Sequence, residues 1–168
     1  MGQGTTGKES ERLVEEKLNK LGLRTEKSKE LDNKGIDLLA HNPKTGNKVG
    51  IQVKGRGKTL DCNWRWFQIR RSKKKTWKEK LYSSDFIVLA SLPHNELWVL
   101  TPKEVEDIIN NTSHKYQNRK DNKGRIEAKQ KEINLDIPFG DKDGKPAKEV
   151  YGKNKNNFQP LIDYLNKK

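Results

Sequence analysis

Apolar side chains recur at every second position on both sides of a short polar break between residues 35 and 54. Ile36, Leu38 and Ala40 alternate with Asp37 and Leu39, and Val49, Ile51 and Val53 alternate with Gly50, Gln52 and Lys54. Asn42-Pro43-Lys44-Thr45-Gly46-Asn47 lies between them, and a period of two around such turn residues predicts a β-hairpin with one apolar face. A turn centred between Lys44 and Thr45 sets Asp37 across from Gln52, with Lys54 two residues further along the same face. Opposed Cβ atoms lie roughly 4.5 to 5.5 Å apart, so a carboxylate, a carboxamide and an ammonium share one patch. A one-residue slip in register would send the amide and the amine to the other face.

The remaining elements follow from similar patterns. Thr6 to Glu9 has the spacing of a capping box, which predicts a helix beginning there, beyond a frayed stretch of five residues, and stopping at Gly22. Val14, Leu18 and Leu21 form its apolar stripe. Glu11 falls about 20° from Leu18 on the helical wheel, at the edge of that stripe, where a carboxylate needs a cation or donors. Residues 23–30 read as an edge strand, 31–34 as a polar turn, 63–71 as a further strand, and 85–91 with 96–100 as a hairpin around Pro93-His94-Asn95. Thr101 to Glu104 caps a helix with Pro102 at its first position and Val105, Ile108 and Ile109 inward. Residues 135–151 read as irregular, and Phe158, Leu161, Ile162 and Leu165 mark a final amphipathic helix that packs back on the sheet. The expected architecture is α/β, one domain over residues 1–168.

Composition adds a partner. Only 30% of the 168 residues are hydrophobic and 35% are charged, which implies a compact core and long polar loops. Thirty-six Lys and Arg against 23 Asp and Glu give a formal charge of +13, a bias toward a polyanion, with nucleic acid the leading candidate. A generally basic proteome is the plain alternative, and clustering counts against it. Between Asp61 and Lys80 stand Arg65, Arg70, Arg71, Lys73, Lys74, Lys75, Lys78 and Lys80, opposed only by Asp61 and Glu79. Aromatics interleaved with arginine can stack on bases, although each of Trp64, Trp66 and Trp77 taken singly is better read as core or rim. The basic stretch 110–131 suits a flap over a polyanion and a plain solvated loop equally well. The single cysteine, Cys62, excludes an internal disulfide and a multi-cysteine zinc site, and His41, His94 and His114 lack ligand spacing. No run of 18 apolar residues and no signal-type apolar region occurs, so the expectation is a soluble cytoplasmic chain with no membrane partner.

Taken alone, Asp37, Gln52 and Lys54 suit an ordinary solvated hairpin face. Joined to Glu11 on a capped helix, their order resembles the PD-(D/E)XK nuclease superfamily, whose common core is a mixed sheet flanked by helices, the restriction-endonuclease-like fold. The helix with its Glu11-Arg12 pair is similar to that of archaeal Holliday junction resolvases and Mrr-like enzymes. Gly35-Ile36-Asp37 resembles their metal-binding strand, and Ile51-Gln52-Val53-Lys54 the Gln-x-Lys variant of Mrr-like restriction endonucleases. The motif resemblance covers about residues 7–56, with later elements in compatible order.

The resemblance implies an endonuclease that hydrolyses DNA phosphodiester bonds with Mg²⁺ (or Mn²⁺). Asp37 supplies the anionic oxygen, Gln52 and the Val53 carbonyl add neutral oxygens, Glu11 restores a charge, and Lys54 orients the nucleophile or neutralises the phosphate. Arg56, Lys58, Trp64, Arg65, Arg70, Arg71, Lys73, Lys74 and Lys75 are the expected DNA contacts. A homodimer is one arrangement by which such enzymes cut both strands. Two departures stand out: Ile36 replaces the usual proline, and Gln52 replaces an acid, which weakens a cation site. The alternatives are a catalytically silent nucleic-acid-binding protein of the same fold and a basic RNA-binding protein indifferent to Asp37.

Overall fold

The computed structural model describes residues 3–57, 66–69, 76–112, 135–138 and 151–167. Helix α1 spans Gln3–Lys20, strand β1 Arg24–Glu26, helix α2 Lys29–Lys34, strand β2 Leu38–His41 and strand β3 Lys48–Arg56. Strand β4 (Trp66–Ile69), helix α3 (Trp77–Leu81), strands β5 (Phe86–Ser91) and β6 (Glu96–Leu100) and helix α4 (Pro102–Thr112) follow. Strand β7 (Leu135–Pro138), a short 3-10 turn at Gly152–Asn154 and helix α5 (Gln159–Asn166) complete the described elements.

Five strands form a mixed sheet in the order β1-β2-β3-β5-β6, and β4 pairs with β7 in a separate two-stranded sheet. The chain is therefore α/β, with helices flanking a central mixed sheet. β3 is the pivot, antiparallel to β2 and parallel to β5. The period-two pattern predicts its register correctly: Leu38 faces Ile51, Leu39 faces Gly50, Ala40 faces Val49 and His41 faces Lys48.

Alternation along β3 divides the core. Val49 and Ile51 join Leu38, Ala40, Val88, Ala90 and Val99 in a buried cluster covered by Val14 and Leu18 of α1 and by Leu161 and Leu165 of α5. Gln52 and Lys54 point to the opposite face and stand beside Ile87 and Leu89 of β5. The hairpin is also tied to the C-terminal helix. Asn47 Nδ2 donates to the Leu165 and Lys167 carbonyls at 2.7 and 2.6 Å, and Thr45 Oγ1 donates to the Leu165 carbonyl at 3.2 Å. These side chains satisfy carbonyls that a helix end leaves without intrahelical partners.

Several expectations change. α1 begins at Gln3, so Thr6 lies inside the helix and its carbonyl accepts the Ser10 hydroxyl at 2.8 Å in place of a capping role. Leu21 is 41% exposed, because the helix ends at Lys20 and the 100° progression ends with it. Leu23 takes the buried position, its N–H returning to the Leu18 carbonyl at 3.1 Å. The strand expected over 23–30 is only three residues long, and the expected turn at 31–34 belongs to α2, capped by the Ser28 hydroxyl and closed by Gly35 at φ 83°. β7 falls in the stretch read as irregular, with Trp66 opposite Pro138 and Ile69 opposite Leu135.

Helix α1 crosses β3 closely. Ser10 is fully buried, and a Cβ at Gly55 would stand 2.8 Å from the Ser10 Cβ and closer still to its hydroxyl. Gly55→Ala should destabilise the protein by about 1–3 kcal/mol in urea denaturation, as overpacking does, and Ser10→Gly in the same chain should recover most of the loss. A Gly55→Ala chain as stable as the wild type would mean that α1 does not lie on β3 here.

Candidate functional site

Asp37 stands one residue before β2, where the hairpin ladder gives out. Its N–H donates to the Ile51 carbonyl at 2.9 Å, and its Oδ2 accepts the Val53 N–H at 2.7 Å. A side-chain oxygen thus does the work of the next backbone carbonyl. One carboxylate oxygen is held by the central strand β3, and among the described residues the other accepts no hydrogen bond.

Burial pushes the Asp37 carboxyl above its ordinary value, while the Val53 N–H and the Lys54 ammonium pull it down. Lys54, on the second face of β3, is thus within electrostatic reach. Glu11 approaches from α1 on the first face. Burial and then the charge of Asp37 push its carboxyl up, and Lys27 opposes them through an ion pair of 3.3 Å to Glu11 Oε2. The charge of Asp37 thus acts on Glu11, that of Asp32 raises both carboxyls, and Lys27 lowers both, with Lys54 acting on Asp37, where β2 and β3 part.

Gln52 is adjacent and only 6% exposed. Its Nε2 donates to the Ser83 hydroxyl at 2.8 Å and to the Lys80 carbonyl, both in the turn that ends α3. Gly35 comes over the same amide: a Cβ built there would lie 2.6 Å from Ser83 Oγ and 3.9 Å from Gln52 Nε2. Glycine is required at this position twice, for its left-handed backbone and for this approach.

The expected residues therefore divide. Asp37 bonds the Val53 N–H and feels the charge of Lys54, Glu11 feels the charge of Asp37, and Gln52 follows Ile51 on the Lys54 face of β3. Arg56, further along the Gln52 and Lys54 face, is half-buried, with its Nε buried and without a hydrogen-bond partner among the described residues. Lys58, Trp64, Arg65, Arg70, Arg71, Lys73, Lys74 and Lys75 lie outside the described residues. Arg12, paired in sequence with Glu11, turns outward to Glu16 at 2.6 Å. Lys27 and Ser83 escape sequence reading. Lys27 falls in a segment patterned like a strand, and Ser83 reaches Gln52 only through the tertiary fold. Among the described residues no three His, Cys, Asp or Glu side chains are grouped as a metal site, and no helix is long and apolar enough to cross a membrane.

No protein-family model matches the chain, and no curated protein sequence matches it. Among solved structures, a bacterial homing endonuclease, I-Ssp6803I, superposes with a TM-score of 0.47 and 18% identity over 61% of this chain and 67% of that one.

The two raised carboxyls carry a stability consequence. Between a carboxyl's ordinary value and its higher folded value, the folded chain keeps a proton that the unfolded chain has lost, so stability falls as pH rises through that window. Above it the ionised groups are a fixed cost. In chelator, Asp37→Asn and Glu11→Gln should each raise the melting temperature by a few degrees at neutral pH, with the gain vanishing below about pH 3, where both carboxyls are protonated in either state. A lower melting temperature for Asp37→Asn at neutral pH would contradict the placement.

Proposed function

We propose that the chain is a metal-dependent DNA endonuclease of the PD-(D/E)XK type, in the Gln-x-Lys variant. The observation that carries this reading is the convergence of Asp37, Lys54 and Glu11 at the open end of the hairpin, with the Asp37 carboxylate pinned by the Val53 N–H. Two close, partly desolvated carboxylates form an all-oxygen, electron-rich pair that suits a hard divalent cation and is costly without one. Asp37 and Glu11 would hold Mg²⁺ or Mn²⁺, joined by the Gln52 side-chain oxygen and the Val53 carbonyl.

When bound, such an ion supplies Lewis-acid charge for phosphodiester hydrolysis. The chain's own residues do the rest. Asp37 stays oriented because its Oδ2 is fixed to the backbone, and Lys54 offers an ammonium to the scissile phosphate or to the attacking water. Its charge opposes the negative charge that accumulates on the phosphoryl oxygens during in-line attack. Arg56, two residues on along the same face, extends the cationic track, and the +13 charge draws the duplex in.

A nicking assay on plasmid and branched DNA tests the reading. Asp37→Ala and Lys54→Ala should each lower the Mg²⁺-dependent rate by about a hundredfold or more, with folding and DNA binding retained; undiminished cutting by both variants would refute it. A second reading, nucleic-acid binding without cleavage, draws on the Lys27 ion pair to Glu11 and on the amide at position 52. It predicts wild-type binding with no metal-dependent product, and a preference for RNA that ignores Asp37→Ala would instead mark an RNA-binding protein.

Binding itself should be dominated by phosphate contacts. Affinity is expected to fall steeply between about 50 and 200 mM salt, and Arg56→Ala should reduce the slope of log affinity against log salt by about one. A flat salt dependence would remove the polyanion from the account.

A further inference from the structure

We infer that Ser83 is a positioning residue for the site: together with the Lys80 carbonyl it fixes which way the Gln52 amide faces, so that position 52 must carry a donor as well as an oxygen. The inference rests on the nuclease reading for its consequence and on the hydrogen-bond geometry for its substance. Gln52 Nε2 donates to the Ser83 hydroxyl at 2.8 Å and to the Lys80 carbonyl, and the Ser83 hydroxyl in turn donates to that carbonyl at 2.6 Å. Ser83 has a single hydroxyl proton, and it is already given to Lys80. The hydroxyl can therefore only accept from residue 52.

An amide that commits its nitrogen to both partners turns its oxygen away from the α3 turn. A carboxylate at position 52 has no donor to offer. It would set an oxygen against the Lys80 carbonyl and compete for the one Ser83 proton, at a position where residue 52 itself is buried. Glutamine at position 52 is thus a fitted residue, because the turn after α3 demands an N–H there. Gly35 permits the arrangement, since any side chain on it would collide with the Ser83 hydroxyl.

Ser83 and Lys80 sit at the end of α3, which follows directly on the basic stretch 58–75 in sequence. Outer groups that hold a ligand in orientation are typically worth 10–100-fold in metal affinity.

Three measurements on the full chain test this. The Gln52 side-chain NH₂ should give two resolved, exchange-protected proton signals by NMR, and Ser83→Ala should release one of them; exchange as fast as in a surface glutamine would overturn the inference. Mn²⁺ affinity, measured by calorimetry, should fall about tenfold in Ser83→Ala and return in Ser83→Thr, and an unchanged affinity in Ser83→Ala would remove the positioning role. Gln52→Glu should bind Mn²⁺ no more tightly than the wild type despite its added charge, whereas clearly tighter binding by a folded variant would show that position 52 needs no donor. Should Ser83→Ala fail to fold, Ser83→Cys, which keeps a weak donor of similar size, carries the affinity comparison. If the wild type binds no Mn²⁺, the metal-dependent reading fails, and amide protection alone decides the orientation of Gln52.

Discussion

A backbone N–H in the middle of a sheet must find an acceptor, and Val53 finds one in a side chain. The antiparallel ladder between β2 and β3 runs from the His41 and Lys48 pair to the Leu38 and Ile51 pair. The next N–H on β3 would lose its partner there without the Asp37 carboxylate at 2.7 Å. This one bond fixes the acid in place, and it does so from the strand whose other face carries Gln52 and Lys54. The separation of β2 from β3 at this point, the glycine that closes α2 and the α3 turn against Gln52 all bear on the same few ångströms of β3.

The electrostatic cost follows from that placement. Burial drives both Asp37 and Glu11 up, the charge of Asp37 adds to the rise of Glu11 and that of Asp32 to both, and Lys54 and Lys27 relieve only part of the cost. Stability alone would favour neutral side chains here. Groups held in a costly ionised state inside a partly closed site are the arrangement expected where charge is needed for chemistry. The helix that brings Glu11 in is seated by Ser10 against Gly55, a contact that leaves no room for a methyl group.

Much of this was legible in the sequence, for physical reasons that differ from residue to residue. The hairpin register was readable because one face of each strand is buried, so Val49, Ile51, Leu38 and Ala40 admit only one alignment. Glu11 was readable as a carboxylate at the edge of a buried stripe, although its ion pair to Lys27 was hidden in a segment that reads as an edge strand. Helices α2 and α3, of six and five residues, are too short to display a stripe, and β7 lies in a stretch whose Gly, Asp and Pro content signals loops. Leu21 misled because periodicity carries no mark of where a helix stops. The partner of Gln52 was out of reach, since a hydroxyl 31 residues away meets it only once α3 is folded against the sheet.

The proposed function requires a divalent ion to seat itself at the Asp37 carboxylate beside the Val53 N–H. Substoichiometric Mn²⁺ added to ¹⁵N-labelled protein tests this directly, because paramagnetic broadening falls off sharply with distance. The backbone amide signals of Asp37 and Val53 should disappear first in the wild type and persist in Asp37→Asn, with the β6 amides sharp throughout. Broadening centred elsewhere, or identical in the two proteins, would contradict it.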